Sequence, residues 1–167
     1  MNMTTGQPAS QDTNTAMPLL GQGVYWQDLQ TGQQYRTFRR MITETDIVSF
    51  MGVTGMLEAI FMDPFYEHSA IKGRMAPAAL THSIIEGMLQ QTLIQGVGLA
   101  MLEMQMDILG PVMAQDTIWA QVDITDVRPT SKHGRAVVSS TITVFNQEDK
   151  PVMRYNVKRI QLGRPEL

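Results

Sequence analysis

Two hydrophobic periodicities divide this chain. From residue 78 to about 94, Leu80, Ile84, Ile85, Met88, Leu89 and Thr92 recur at spacings of three and four. That is the period of a helix with an apolar face, leaving His82, Gln90 and Gln91 elsewhere. Gly87 in its middle costs about 1 kcal/mol relative to alanine, which a close approach between helix and sheet would explain. From residue 99 the period falls to two. Ala100, Leu102, Met104, Met106 and Ile108 alternate with Glu103, Gln105 and Asp107, so the even positions are expected to face the core. The same alternation recurs at Ile118, Ala120, Val122 and Ile124, and at Ala136, Val138, Ile142 and Val144. The turn Asn146-Gln-Glu-Asp-Lys150 introduces a last strand over about 152–162.

Upstream, residues 34–41 read as extended chain. Thr43 and Asp46 have the spacing of a helix start, with Gly52 as the expected stop. Asp63-Pro64 predicts a second short helix over about 64–70, Asp63 being its cap. The order is therefore strand, short helices, one long helix, then four long strands joined by hairpins. An antiparallel meander packed on one helix is an α+β domain, a sheet wrapped around its helix in the hot-dog manner. Residues 1–18 are rich in Thr, Gln, Ser and Pro and poor in aliphatics, so residues 1–20 are expected to be a disordered tail and 21–167 a single domain.

Composition narrows the function. The chain has 167 residues, 43% of them hydrophobic and 17% charged, which suits a packed core. A net charge of −3 is not that of a protein that binds nucleic acid by neutralising phosphates. With no cysteine, disulfides, thiolate nucleophiles and Cys-ligated metals are excluded. No apolar run is long enough to span a bilayer, and the N-terminus lacks the pattern of a secretory signal. A soluble cytoplasmic protein is the expectation. His68, His82 and His133 fall in none of the spacings that hold a metal, so neither metal nor cofactor is expected.

Several segments together resemble the MaoC-like (R)-specific enoyl-CoA hydratases and dehydratases. They are Tyr25-Trp-Gln-Asp-Leu-Gln-Thr-Gly-Gln33, Ile42-Thr-Glu-Thr-Asp-Ile-Val-Ser-Phe50, Gly73-Arg-Met-Ala-Pro77 and Ser83-Ile-Ile-Glu-Gly87. Gly110-Pro-Val, Asp116-Thr and Arg128-Pro-Thr-Ser-Lys-His-Gly-Arg135 complete the pattern. The resemblance covers about 22–162 and implies a hot-dog dimer whose two sheets join, with acyl-CoA thioesters bound at the subunit interface. It implies reversible addition of water to an enoyl thioester. An Asp/His pair, placed just after a Thr-Gly, holds the water, and a backbone N–H opening the long helix polarises the thioester oxygen.

Here that motif is broken. After Thr54-Gly55, Met56 stands at the family's Asp position and Phe61 at its His position, with Glu58 and Ala59 at the Asn and Pro between them. No histidine occurs between residues 41 and 67. Losing both proton-exchanging groups should cost more than the roughly 10²–10⁴ of one acid–base catalyst. Met56 and Phe61 then read as apolar packing or as the wall of an acyl tunnel. Glu58 becomes a base only if burial raises its pKa; otherwise it is a solvated loop residue. Glu86 and His82 are further candidates, each with a structural alternative. Ala78 stands where an N–H would meet the thioester oxygen. Arg74, Lys132 and Arg135 are candidate contacts for the phosphates of CoA.

Three readings follow. The first is a thioester-binding member without standard catalysis, acting as a homodimer or as one half of a hetero-oligomer with a MaoC-like paralogue. The second is an active hydratase or thioesterase using Glu58. The third is a dimerising scaffold with no small ligand.

Overall fold

The computed structural model describes residues 20–131 and 134–165; of the expected tail, residues 1–20, all but Leu20 lie outside that range. A short 3-10 turn, Trp26–Asp28, precedes β1 (Gln34–Arg36) and β2 (Arg40–Met41). Then come α1 (Glu44–Thr54), α2 (Ala59–Met62), α3 (Ala78–Gln90), β3 (Gly98–Ile108), β4 (Thr117–Pro129), β5 (Arg135–Phe145) and β6 (Pro151–Leu162). The antiparallel sheet runs β1-β4-β5-β6-β3, with β2 added to β4.

The core lies where the two periodicities meet. Leu80, Ile84, Ile85, Met88 and Leu89 of α3 are buried, as are Ile118, Ala120, Val122 and Ile124 of β4 and Ala136, Val138, Ile142 and Val144 of β5. With Val152, Met153, Tyr155 and Val157 of β6 also buried, one helix covers the inner faces of three long strands, the expected α+β architecture.

The start of α1 is the expected one. Thr43 Oγ1 accepts from the Asp46 N–H, and Asp46 accepts from the Thr43 N–H at 2.9 Å, a reciprocal cap. The stop is not Gly52. The helix runs on to Gly55, whose left-handed φ of 70° lets its N–H reach the Met51 carbonyl at 2.9 Å.

Other expectations are corrected. Asp63-Pro64 opens a turn rather than a helix over 64–70, with Asp63 Oδ1 accepting from the Phe65 N–H at 2.9 Å. The helical turn lies just before it, in α2. α3 ends at Gln90 instead of 94, because the carbonyls of Leu93 and Gln95 accept from Val24 and Gly23. A Cβ on Gly23 would sit 2.7 Å from the Gln95 nitrogen, so only glycine permits that seam. Gly87 has no close approach to the sheet: a Cβ there meets nothing within 4 Å.

The four long strands are not all joined by hairpins. β4, β5 and β6 form a meander, whereas β3 sits outside β6 at the sheet edge. The connection after β3 crosses the N-terminal end of α3. It is held there by Ala76 N–H to the Val112 carbonyl and Ala114 N–H to the Arg74 carbonyl, both 2.8 Å.

β3 departs furthest from expectation. Apart from Met106 it is exposed along its whole length. Irregularities between Gly98 and Ala100 and between Met101 and Glu103 change the phase of its side chains. Met101, Met104, Met106 and Ile108 stand opposite the inward residues Arg159, Val157, Tyr155 and Met153 of β6, while Ala100 stands opposite Ile160. Three of the four inward residues remain open: Met101 is 44% exposed, Met104 42% and Ile108 55%.

Candidate functional site

The site begins at the N-terminus of α3. Pro77, the N-cap, contributes neither an N–H nor a side-chain cap. Its carbonyl accepts from Leu80 at 3.0 Å and from Thr81 at 3.2 Å. The N–H groups of Ala78 and Ala79 have no partner among the described residues, and the helix dipole adds partial positive charge beside them.

Ala78 lines a cavity of about 360 Å³ between α3, the α2 region and the crossing segment after β3. Phe61, Ile71, Met75, Ala78 and Thr81 line one side; Ile108, Pro111 and Met153 line another. None of its lining residues has a titratable side chain. Its polar features are backbone groups and the hydroxyl of Thr81.

The motif positions separate in space. Phe61 lines the cavity, while Met56 lies outside its lining, 37% exposed at the surface. Glu58 is exposed at the N-cap of α2, with no side-chain hydrogen bond to the helix. The burial that would make it a base is therefore not present within this chain. Arg74 is engaged: its Nε lies 2.7 Å from Glu44 Oε1, and its Nη1 donates to the Phe61 carbonyl. That guanidinium ties α1 and α2 to the segment that leads into α3.

Arg135 is exposed at the start of β5, opposite Leu162. The cavity residue Met153 lies near the other end of β6, roughly 30 Å away by strand geometry. Within one chain Arg135 and the cavity are not brought together. Lys132 and His133 lie outside the described residues.

Glu86 and His82 belong to a second polar cluster. Arg159 Nη2 lies 2.6 Å from both carboxylate oxygens of Glu86, and the Tyr155 hydroxyl donates to Oε1 at 2.7 Å. Glu86, Tyr155 and Arg159 are all buried. Burial first, then the Glu86 carboxylate, pushes the Tyr155 phenol far up, so it stays a donor. The His82 ring packs edge-on to Tyr155 at 5.1 Å, and its Nε2 is buried without a partner. Burial holds the His82 pKa below its ordinary 6.5; Glu86 opposes that shift and Arg159 reinforces it. Glu86 thus has its acceptors committed to an internal ion pair. Together with Arg159 it lines a separate polar cleft of about 350 Å³ beside β3.

Thr81 is the residue that pattern reading passed over. It sits inside the apolar stripe of α3, and the signal that marks it is a hydroxyl one turn after a proline N-cap. Among the described residues no group of three or more His, Asp or Glu is placed to hold a metal ion. No helix among them is long and apolar enough to cross a membrane.

Solved structures share this architecture. A MaoC-like dehydratase from Rhodospirillum rubrum superposes with a TM-score of 0.77 at 21% identity, over 86% of this chain and 100% of that one. The unliganded (R)-hydratase from Pseudomonas aeruginosa gives 0.72 at 22%, over 87% and 92%. A Mycobacterium tuberculosis protein described as a double hot-dog fold gives 0.75 at 15%, over 87% of this chain and 46% of that one. No curated protein matches the sequence. A family model, the dehydratase domain region of FAS1-like proteins, matches residues 29–155, well over half of the chain. By that match, in a fold shared with MaoC-like dehydratases and (R)-hydratases, the chain belongs to the FAS1-like dehydratase-domain family of hot-dog proteins.

Proposed function

We propose that this protein binds acyl-CoA or a related acyl thioester in the cavity at the N-terminus of α3 and does not by itself hydrate it. The observation that carries this reading is the composition of the cavity. Ala78, which opens α3, lines it with a backbone N–H that has no partner among the described residues, and none of its side chains exchanges protons near neutral pH. Donors of that kind suit a thioester oxygen. An apolar wall that includes Phe61 suits an acyl chain.

Its working form is a dimer, with a second copy or with a paralogue, joined along β3. That strand has a free edge and an uncovered apolar inner face. A related fold, the (3R)-hydroxyacyl-ACP dehydratase of Mycobacterium tuberculosis, is described as a complex of two components. A partner that kept the Asp/His pair would supply the chemistry this chain lacks, in a cytoplasmic setting suited to soluble thioesters. Arg135 and Lys132 then act on a thioester whose phosphates reach beyond the cavity of their own chain.

The test uses the purified protein alone with crotonyl-CoA. Stabilisation against heat by the thioester, without loss of the conjugated enoyl absorbance, is the expected result. Turnover that disappears in Glu58→Gln would replace this reading with catalysis by that carboxylate. Neither binding nor turnover would leave a scaffold.

A further inference from the structure

The hydroxyl of Thr81 has no partner where comparable hydroxyls do. Thr54, Ser83 and Thr92, in or just past α1 and α3, each donate to the carbonyl four residues back, at 2.7, 2.8 and 2.7 Å. Thr81 does not. The carbonyl four residues before it belongs to Pro77 and already accepts from two N–H groups. Thr81 is 1% exposed, its Oγ1 is buried and unpartnered, and the residue lines the cavity. Burying a hydroxyl without a hydrogen bond is unfavourable, so the position asks for a polar atom from whatever fills the cavity.

The spacing says which atom. Ala78 and Thr81 are three residues apart on one helix face and both line the cavity. They are offset by about 4.5 Å along the axis, and Cβ bonds in a helix lean toward its N-terminus, which shortens the reach from Oγ1 to the free N–H groups. An acyl thioester with an oxygen on C3 carries two oxygens, C1 carbonyl and C3 substituent, across such a short span.

We infer that Thr81 is a specificity-determining residue that selects acyl thioesters oxygenated at C3 over those that are not. This rests on the thioester reading of the cavity. The carbonyl oxygen takes the helix N-terminus, and the C3 oxygen takes the Thr81 hydroxyl, in a pocket where Phe61 occupies the family's histidine position. The chain then retains a C3-oxygenated thioester without removing its water.

Calorimetric titration of the full-length protein with butyryl-CoA, (R)-3-hydroxybutyryl-CoA and acetoacetyl-CoA tests this. Expected is binding of the two oxygenated thioesters about 5- to 10-fold tighter than butyryl-CoA, the range of one added hydrogen bond. The hydroxy and oxo ligands separate a donated from an accepted bond. The near-isosteric Thr81→Val removes the preference for the oxygenated thioesters over butyryl-CoA, and Thr81→Ser restores it. Butyryl-CoA binding with equal affinity for all three, or a preference that survives Thr81→Val, overturns the role of Thr81 alone. Binding of none of them overturns both that role and the thioester reading.

Discussion

Tyr155 and Glu86 meet at 2.7 Å inside the fold, the phenol of a central strand donating to a carboxylate on the helix that the sheet encloses. Arg159 completes the arrangement from the same strand. Three polar groups thus bond to one another in a helix–sheet contact that is otherwise mostly apolar. The contact is balanced only while all three are present, because removing one partner of a buried ion pair leaves a charge without compensation.

Arg159→Met is therefore expected to destabilise the fold by about 3–5 kcal/mol, read as a fall in the urea midpoint. The double variant Glu86→Leu with Arg159→Met should recover most of that loss, since it removes both charges together. A double variant no more stable than the single one would show that the pair holds more than its own charges.

His82 gives the stability a defined pH dependence. Its folded-state pKa lies below the unfolded one of about 6.5, burial being the main cause. The unfolded chain therefore takes up the proton first, and stability rises with pH through that window. The contribution of neutral His82 is present above about pH 6.5 and is lost as pH falls below it. Urea midpoints between pH 5 and pH 8 should climb less steeply in His82→Gln than in the parent protein.

Gly87 is open to improvement. A methyl group there meets nothing within 4 Å, and glycine inside a helix costs roughly 0.5–1 kcal/mol relative to alanine. Gly87→Ala should raise the midpoint of thermal unfolding. A fall instead would mean that something outside this chain approaches the helix at that point.

The inner face of β3 should govern association. Met104→Lys places a charge in the middle of the uncovered methionine row, opposite Val157. Sedimentation or size-exclusion chromatography should show a dimer for the parent protein and a shift toward monomer for the variant. Unchanged assembly would place the interface elsewhere.

Much of the fold was legible because, in α3, β4 and β5, apolar periodicity and burial coincide. It failed where a pattern names side chains but not what lies opposite them. The apolar alternation of β3 is real, yet bulges change its phase and the strand stands at an edge, so the same residues that suggest a core face remain open. Gly52 and Gly55 are indistinguishable as letters; only the backbone shows which one turns left-handed. Asp63-Pro64 did signal a local cap, but for a turn.

At the site, the start of α3 at Ala78 was readable from the sequence. The bond between Glu86 and Arg159 was not, because it joins residues 73 positions apart. The same holds for Thr81, a single hydroxyl in an apolar stripe that acquires meaning only when its would-be acceptor is found occupied.

The irregular register of β3 has a consequence for how such a protein is kept safe in a crowded solution. A straight, apolar edge strand of this length would accept almost any extended chain and grow by accretion. Two interruptions in eleven residues leave few lengths of regular ladder for a stranger to copy. A partner must reproduce the kinks to lie flush, so the most sociable edge of the molecule is also its most selective.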